Sequence, residues 1–188
     1  MPEIKTKPNG QKEDIFEAIL REHNFTAPFD YETEILVVGA FLQAPLRLGD
    51  LQHMLSPDIF YDKWTRVMYE NIYKLFQKGE TEKINPDVLA LKTNDEHRDR
   101  VVHDILNHIH TEHIKTDELT GMIKALNELA FKRSMLNEAF CIMEDAYDTS
   151  SPISRKVAFA EEISKKIIQH IDDLNCTSEA ARPVQRCL

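Results

Sequence analysis

The chain has 188 residues, 42% of them apolar, enough for a real core in one domain or two small ones, and its five glycines among many Leu, Ile, Lys and Glu point away from the tight turns of a sandwich or barrel and toward an all-α fold. A formal net charge of −9 repels phosphate and argues against tight non-specific nucleic-acid binding by this chain alone. Cys141, Cys176 and Cys187 form no CxxC pair, the start MPEIKTKPNGQKED holds no apolar signal core, and no apolar run approaches the roughly 18 residues of a membrane span, so the expected location is the cytoplasm.

Residues 1–27 read as an N-terminal extension. A leader with two prolines and a glycine precedes Lys12 to His23, which places Ile15, Phe16, Ile19 and Leu20 on one helical face and can therefore dock. A compact helical head is expected over residues 28–113. Asp30 stands where an N-cap oxygen would serve the first free amides, Glu32 and Glu34 suit the positive end of the helix dipole, and Pro45 stops the helix. Because Ile35 to Leu42 is apolar on nearly every side, this helix is expected at the centre of the head, with Gly39 at a close helix crossing.

A short helix is expected around Asp50 to Leu55, then a start signal at Ser56 and Pro57, then a helix from Asp62 to Gln77 stopped by Gly79. Asn85 and Pro86 repeat the start signal, and Val101, Val102, Ile105 and Ile109 mark a further amphipathic helix. The expected head core is Ile35, Leu36, Val38, Gly39, Leu42, Phe60, Met68, Ile72 and Leu75.

Residues 114–176 have a different pattern. Leu119, Met122, Leu126, Leu129, Arg133, Leu136, Phe140, Met143 and Tyr147 recur with alternating three and four spacing, and after DTSSP the positions Ile153, Val157, Ala160, Ser164, Ile167, Ile171 and Leu174 do the same. Two such seams joined by a short turn predict a long antiparallel helical hairpin. Ile123, Ala130, Ile163 and Ile168 lie off the seams and face either a second chain or the head. Residues 177–188 are polar and look like the start of a linker or tail.

Candidate chemistry is sparse. None of the glycines is followed by a GxxxxGK[ST] pattern, so nucleotide hydrolysis is not expected of these residues. His103, His108, His110 and His113 are the one metal-like cluster, but their spacing suits no single helix face, and polar helix-end histidines are the expectation. Glu32/Glu34, Glu161/Glu162 and Asp172/Asp173 are expected to be solvated rather than an acid–base pair. Arg133, at a seam position, either buries only its stem or pairs with an acid such as Glu138 or Glu161. Phe60, Tyr61 and Trp64 form an aromatic knot, expected in the core, with a partner patch as the alternative.

In order, ETEILVVGAFLQ, LSPDIFYDKWTRVMYENIYKLFQKG, INPDVL and EHIKTDELTGMIKALNELAFKRSML resemble segments of the N-terminal domain of the DnaB family of bacterial replicative helicases, with Glu34, Gly39 and Arg133 at that family's Glu, Gly and Arg places. The resemblance spans Pro28 to Leu174, and residues 1–27 have no clear counterpart in it. It implies a non-catalytic collar that assembles as a homo-oligomer, from dimer up to a hexamer built as a trimer of dimers, and that receives primase. DNA contact is implied only within a full ring. ATP and Mg are implied only for a RecA-like half beyond the linker, where the parent would be an ATP-dependent helicase, and no cofactor or metal for this chain.

The hairpin interface expected from the seams and their edges is Leu129, Arg133, Leu136, Phe140, Met143, Tyr147, Ile163, Ile167, Ile168 and Ile171. A second reading is a stand-alone phage- or plasmid-type adaptor that mimics the collar to bind or regulate a host helicase or primase. The reading frame beyond Leu188 separates the two. A small metal-dependent enzyme using the histidines ranks third.

Overall fold

The computed structural model describes residues 26–85, 95–111, 114–147 and 152–180, and every α-helix, 3-10 turn and connection among them fits an all-α architecture without strands. The α-helices are α1 (Tyr31–Gln43), α2 (Arg47–Leu51), α3 (Lys63–Gln77), α4 (Glu96–Thr111), α5 (Thr116–Tyr147) and α6 (Ile153–Ala180), with 3-10 turns at Gln52–Met54, Pro57–Ile59 and Thr81–Lys83. The helix expected over Lys12–His23, the one started by Asn85 and Pro86, and the turn between α5 and α6 lie wholly or partly outside the described residues. Two compact units emerge: Phe29–Ala130, and Met1–Pro28 together with Phe131–Leu188.

The helix ends of the first unit follow from local chemistry. Asp30 Oδ1 accepts from the Thr33 amide at 3.1 Å, and Asp62 Oδ1 accepts from the Trp64 and Thr65 amides at 2.8 and 3.1 Å. Ser56 Oγ accepts from the Asp58 amide at 3.2 Å, with Pro57 in the first helical position that needs no N–H. After α3 the chain turns through Gly79 at φ +72°, and the Gly79 and Glu80 amides donate to the Phe76 and Leu75 carbonyls, each at 3.0 Å. That pair of bonds closes the helix end, and the positive φ suits glycine. The helix expected around Asp50 instead begins earlier, at Arg47. Pro45 ends α1 but its carbonyl accepts from the Leu48 amide, so the same proline that stops one helix opens the next.

The centre of the unit is α1. Ile35, Val37, Val38, Gly39, Ala40, Phe41 and Leu42 are all buried, as a helix apolar on every side requires. It packs on α3 and α4. Of the expected core, Leu36 and Leu75 are half-buried at its margin and the rest are buried. At Gly39 a Cβ would stand 3.5 Å from Ile109 Cγ1 and 3.9 Å from the Ile105 carbonyl oxygen, ordinary contact distances, so the crossing with α4 is close but has room for a methyl group. The first turns of α5 complete this core: Leu119, Ile123 and Leu126 are buried, and Asn127 Nδ2 donates to the Met54 carbonyl at 2.9 Å.

In the second unit, described by itself, the rest of α5 and α6 carry side chains that are mostly half-buried or exposed. Ala27 at 3% and Ile163 at 1% exposure are the deeply buried ones among its described residues.

Candidate interaction surface

Glu34 is the polar centre of the first unit, and its position corrects the expectation of a solvated carboxylate at a helix end. The side chain is fully buried. Its Oε1 accepts from the Tyr61 amide at 2.7 Å, and its Oε2 accepts from the Asp62 amide at 3.1 Å and the Thr65 hydroxyl at 2.6 Å. One acid on α1 thus satisfies two amides and a hydroxyl at the start of α3, groups that would be costly to bury alone. Burial raises the carboxyl above its ordinary pKa, while the bonds from Thr65, Tyr61 and Asp62 oppose that shift. With two amides and a hydroxyl of the protein as its partners, Glu34 is a clamp between two helices. The helical phase carried the missed signal, since Glu34 shares a face with Val38 and Phe41, whereas Glu32 is exposed.

A second polar layer joins α4 to the same region. Asp95 accepts from the His97 and Arg98 amides at 3.1 and 3.2 Å and from Trp64 Nε1 at 3.2 Å. These donors, the Arg98 amide foremost, hold its carboxyl below the ordinary range. His97 Nε2 meets Asp62 Oδ2, and Tyr31 donates to Asp104 Oδ2 at 2.9 Å. Burial, with that bond to Asp104, pushes the Tyr31 phenol up to about 12. Within the aromatic knot, Phe60 and Trp64 are buried and Tyr61 stacks on Phe29 with centroids 5.2 Å apart. The depression beside Gly39, lined by residues that include Gln43, His108 and Ile114, encloses about 160 Å³ with open solvent counted. A small-molecule pocket usually needs roughly 300 Å³ or more.

The exposed apolar surface lies elsewhere. Of the seven large apolar side chains exposed among the described residues, five belong to α5 and α6: Met135, Ile142, Met143, Val157 and Ile168. Sequence reasoning had named Met143 and Ile168 but missed Met135 and Ile142, which recur at a seven-residue interval beside the seam. Of the other expected interface residues, Leu129 is half-buried against the first unit's core, Arg133, Leu136, Phe140 and Ile167 are half-buried, and Ile163 is buried. The side chains of Tyr147 and Ile171 lie outside those described. Arg133 is half-buried and its Nη1 donates to the Pro28 carbonyl oxygen at 2.8 Å, a backbone partner that neither sequence alternative foresaw.

Of the histidines, His103 is exposed beside Asn107 and His108 is half-buried, while the His110 side chain and His113 lie outside the described residues. No group of three or more His, Cys, Asp or Glu among the described residues is placed to hold a metal. No helix among the described residues is long and apolar enough to cross a membrane.

Comparison with known families places this geometry. The family model described as DnaB-like helicase N terminal domain matches residues 26–128, more than half of the chain and nearly the whole of the first unit. No curated protein and no solved structure matches the chain.

Proposed function

The chain belongs to the DnaB-like helicase N-terminal domain family, a non-catalytic domain, and from that membership we propose that it serves as the collar of a replicative DNA helicase, joining subunits and receiving primase. The matched span ends at residue 128, so the head carries the family relationship and α5 and α6 carry the assembly half of the proposal. In that half, α5 and α6 pair as an antiparallel hairpin through Leu136, Phe140 and Ile167, and a second copy covers their outer edges.

The observation that supports assembly is the exposure of Met135, Ile142 and Met143 on α5 and of Val157 and Ile168 on α6. Apolar side chains concentrated on two helices mark a surface meant to be covered. A homo-oligomer, from a dimer up to a hexamer, is the occupant that family membership favours. Hydrolysis of ATP and translocation on DNA have no place in this chain's own chemistry. They belong to whatever ATPase half works with it.

Analytical ultracentrifugation tests the assembly half. The unmodified chain is expected as a dimer or larger, and Met143→Asp as a smaller species with unchanged helix content, because a carboxylate at a dry interface has no partner. Leu136→Asp, nearer the pairing seam, is expected to unfold the arm or disperse the assembly. A monomer at high concentration for the unmodified chain would overturn this half. A pull-down against the cognate primase tests the other, which falls if the assembled chain retains none.

A further inference from the structure

With 3.6 residues per turn, Lys156, Phe159, Ala160, Ile163 and Ile167 form one stripe of α6 centred on Ile163, and all of them are buried or half-buried. The seam expected from spacing is therefore turned about the helix. Val157 and Ser164 belong to a second stripe, roughly 130° from the first, together with Glu161 and Ile168. All four are exposed, Val157 and Ile168 by more than half. The chain itself buries the first stripe and leaves the second facing outward.

The order of residues on the outward stripe indicates what can cover it. Val157, Glu161, Ser164 and Ile168 are spaced four, three and four apart, a pattern that reads the same in either direction, with an apolar residue at each end and polar ones between. Laid antiparallel on a second copy, Val157 meets Ile168 of that copy and Glu161 meets its Ser164, each contact occurring twice about a two-fold axis. Lys165, also exposed, follows Ser164, so each Glu161 stands beside a lysine of the other copy. Parallel pairing in register would instead set Glu161 against Glu161, which like-charge repulsion opposes. The exposed stripe of α5 has no such symmetry. Its residues Lys132, Met135, Ala139 and Ile142 are charged at one end and apolar at the other, so reversal lays Lys132 on Ile142. A two-fold contact requires a surface complementary to itself, and the α6 stripe meets that condition where the α5 stripe does not.

We infer that two copies pair through α6, antiparallel, with the two-fold axis level with the Glu162–Ile163 bond. The inference rests on the assembly proposed above and names its two-fold seam. The polar centre fixes register and direction, and the α5 stripe is left for contacts between such dimers.

Cysteine cross-linking tests it. In chains carrying Cys141→Ser, Cys176→Ser and Cys187→Ser, Val157→Cys and Ile168→Cys are expressed separately and together, then treated with a short bismaleimide. A cross-linked dimer is expected from the co-expressed pair and from neither chain alone, because like positions lie about 16 Å apart along the helix axis. Cross-linking of Val157→Cys alone would mean a parallel pair and would overturn the inference. So would failure of the co-expressed pair to cross-link while the same chains sediment as an oligomer, an outcome that leaves assembly itself standing. An unmodified chain that sediments as a monomer would overturn both. In the chain with its own cysteines, Ile168→Asp is expected to weaken dimerisation by about a hundredfold or more at unchanged helix content, since the lost contact is made twice, whereas Met143→Asp leaves the dimer intact. Dimers of Ile168→Asp as tight as those of the unmodified chain would likewise overturn the inference.

Discussion

Helices α1 and α6 differ in how completely their own chain surrounds them. Around α1 even the polar position is provided for, with Glu34 buried among three donors and Ile35 to Leu42 closed off by other helices, Leu36 alone remaining half-exposed at the margin. On α6, Ile163 is buried while Val157 and Ile168 are more than half exposed. The first unit is therefore a finished core, in which truncation costs folding stability. The second presents apolar side chains at which removing a methyl group leaves no cavity in the monomer, and on the proposed assembly their loss costs association.

The sharpest way to break this contrast is at Glu34. Glu34→Ala strands the Tyr61 and Asp62 amides and the Thr65 hydroxyl, and is expected to lower unfolding free energy by roughly 3–5 kcal/mol in urea denaturation. A loss below about 1 kcal/mol would show that water takes over the carboxylate's bonds. The same group gives a pH signature. Its folded pKa is raised above the unfolded value, so the folded state binds the proton more tightly. Stability should therefore rise as pH falls from the raised pKa toward the ordinary carboxylate value, and the cost of the buried charge is felt in full above the raised pKa. Glu34→Gln should remove that slope, which denaturation at a series of pH values would detect.

A smaller effect is expected at the arm. Met135→Ser with Ile142→Ser should weaken self-association by about tenfold and change monomer stability by no more than about 0.5 kcal/mol. Sedimentation paired with denaturation reads both quantities, and a large stability loss without weaker association would reverse the roles assigned to the two units. Smallest is Gly39→Ala. The added methyl meets Ile109 Cγ1 at 3.5 Å, and the gain in helix propensity should raise thermal stability by up to about 1 kcal/mol. A destabilised variant would mean that α1 and α4 are pressed closer than ordinary contact.

Legibility differed between backbone signals and side-chain partners. Asp30, Ser56, Asp62 and Gly79 act where their residue types predict, because capping involves atoms only two or three residues away. Glu34 did not follow that rule, since its donors are 27 to 31 residues distant and become neighbours only when α3 packs on α1. The Pro28 carbonyl that meets Arg133 is 105 residues away in the chain, and no spacing rule points to it. Met135 and Ile142 escaped because the three-and-four count follows one stripe of α5 and passes over the residues beside it.

The order of the described helices, the ends fixed by Asp30, Asp62 and Gly79, and the burial of α1 were determined by the sequence alone, because dihedral preference, capping and apolar periodicity act within a few residues. Which acid lies buried, which carbonyl receives Arg133 and which flank of α6 is covered were decided by tertiary structure. Those outcomes depend on desolvation and on donors brought together from distant parts of the chain, and neither exists until the helices have packed.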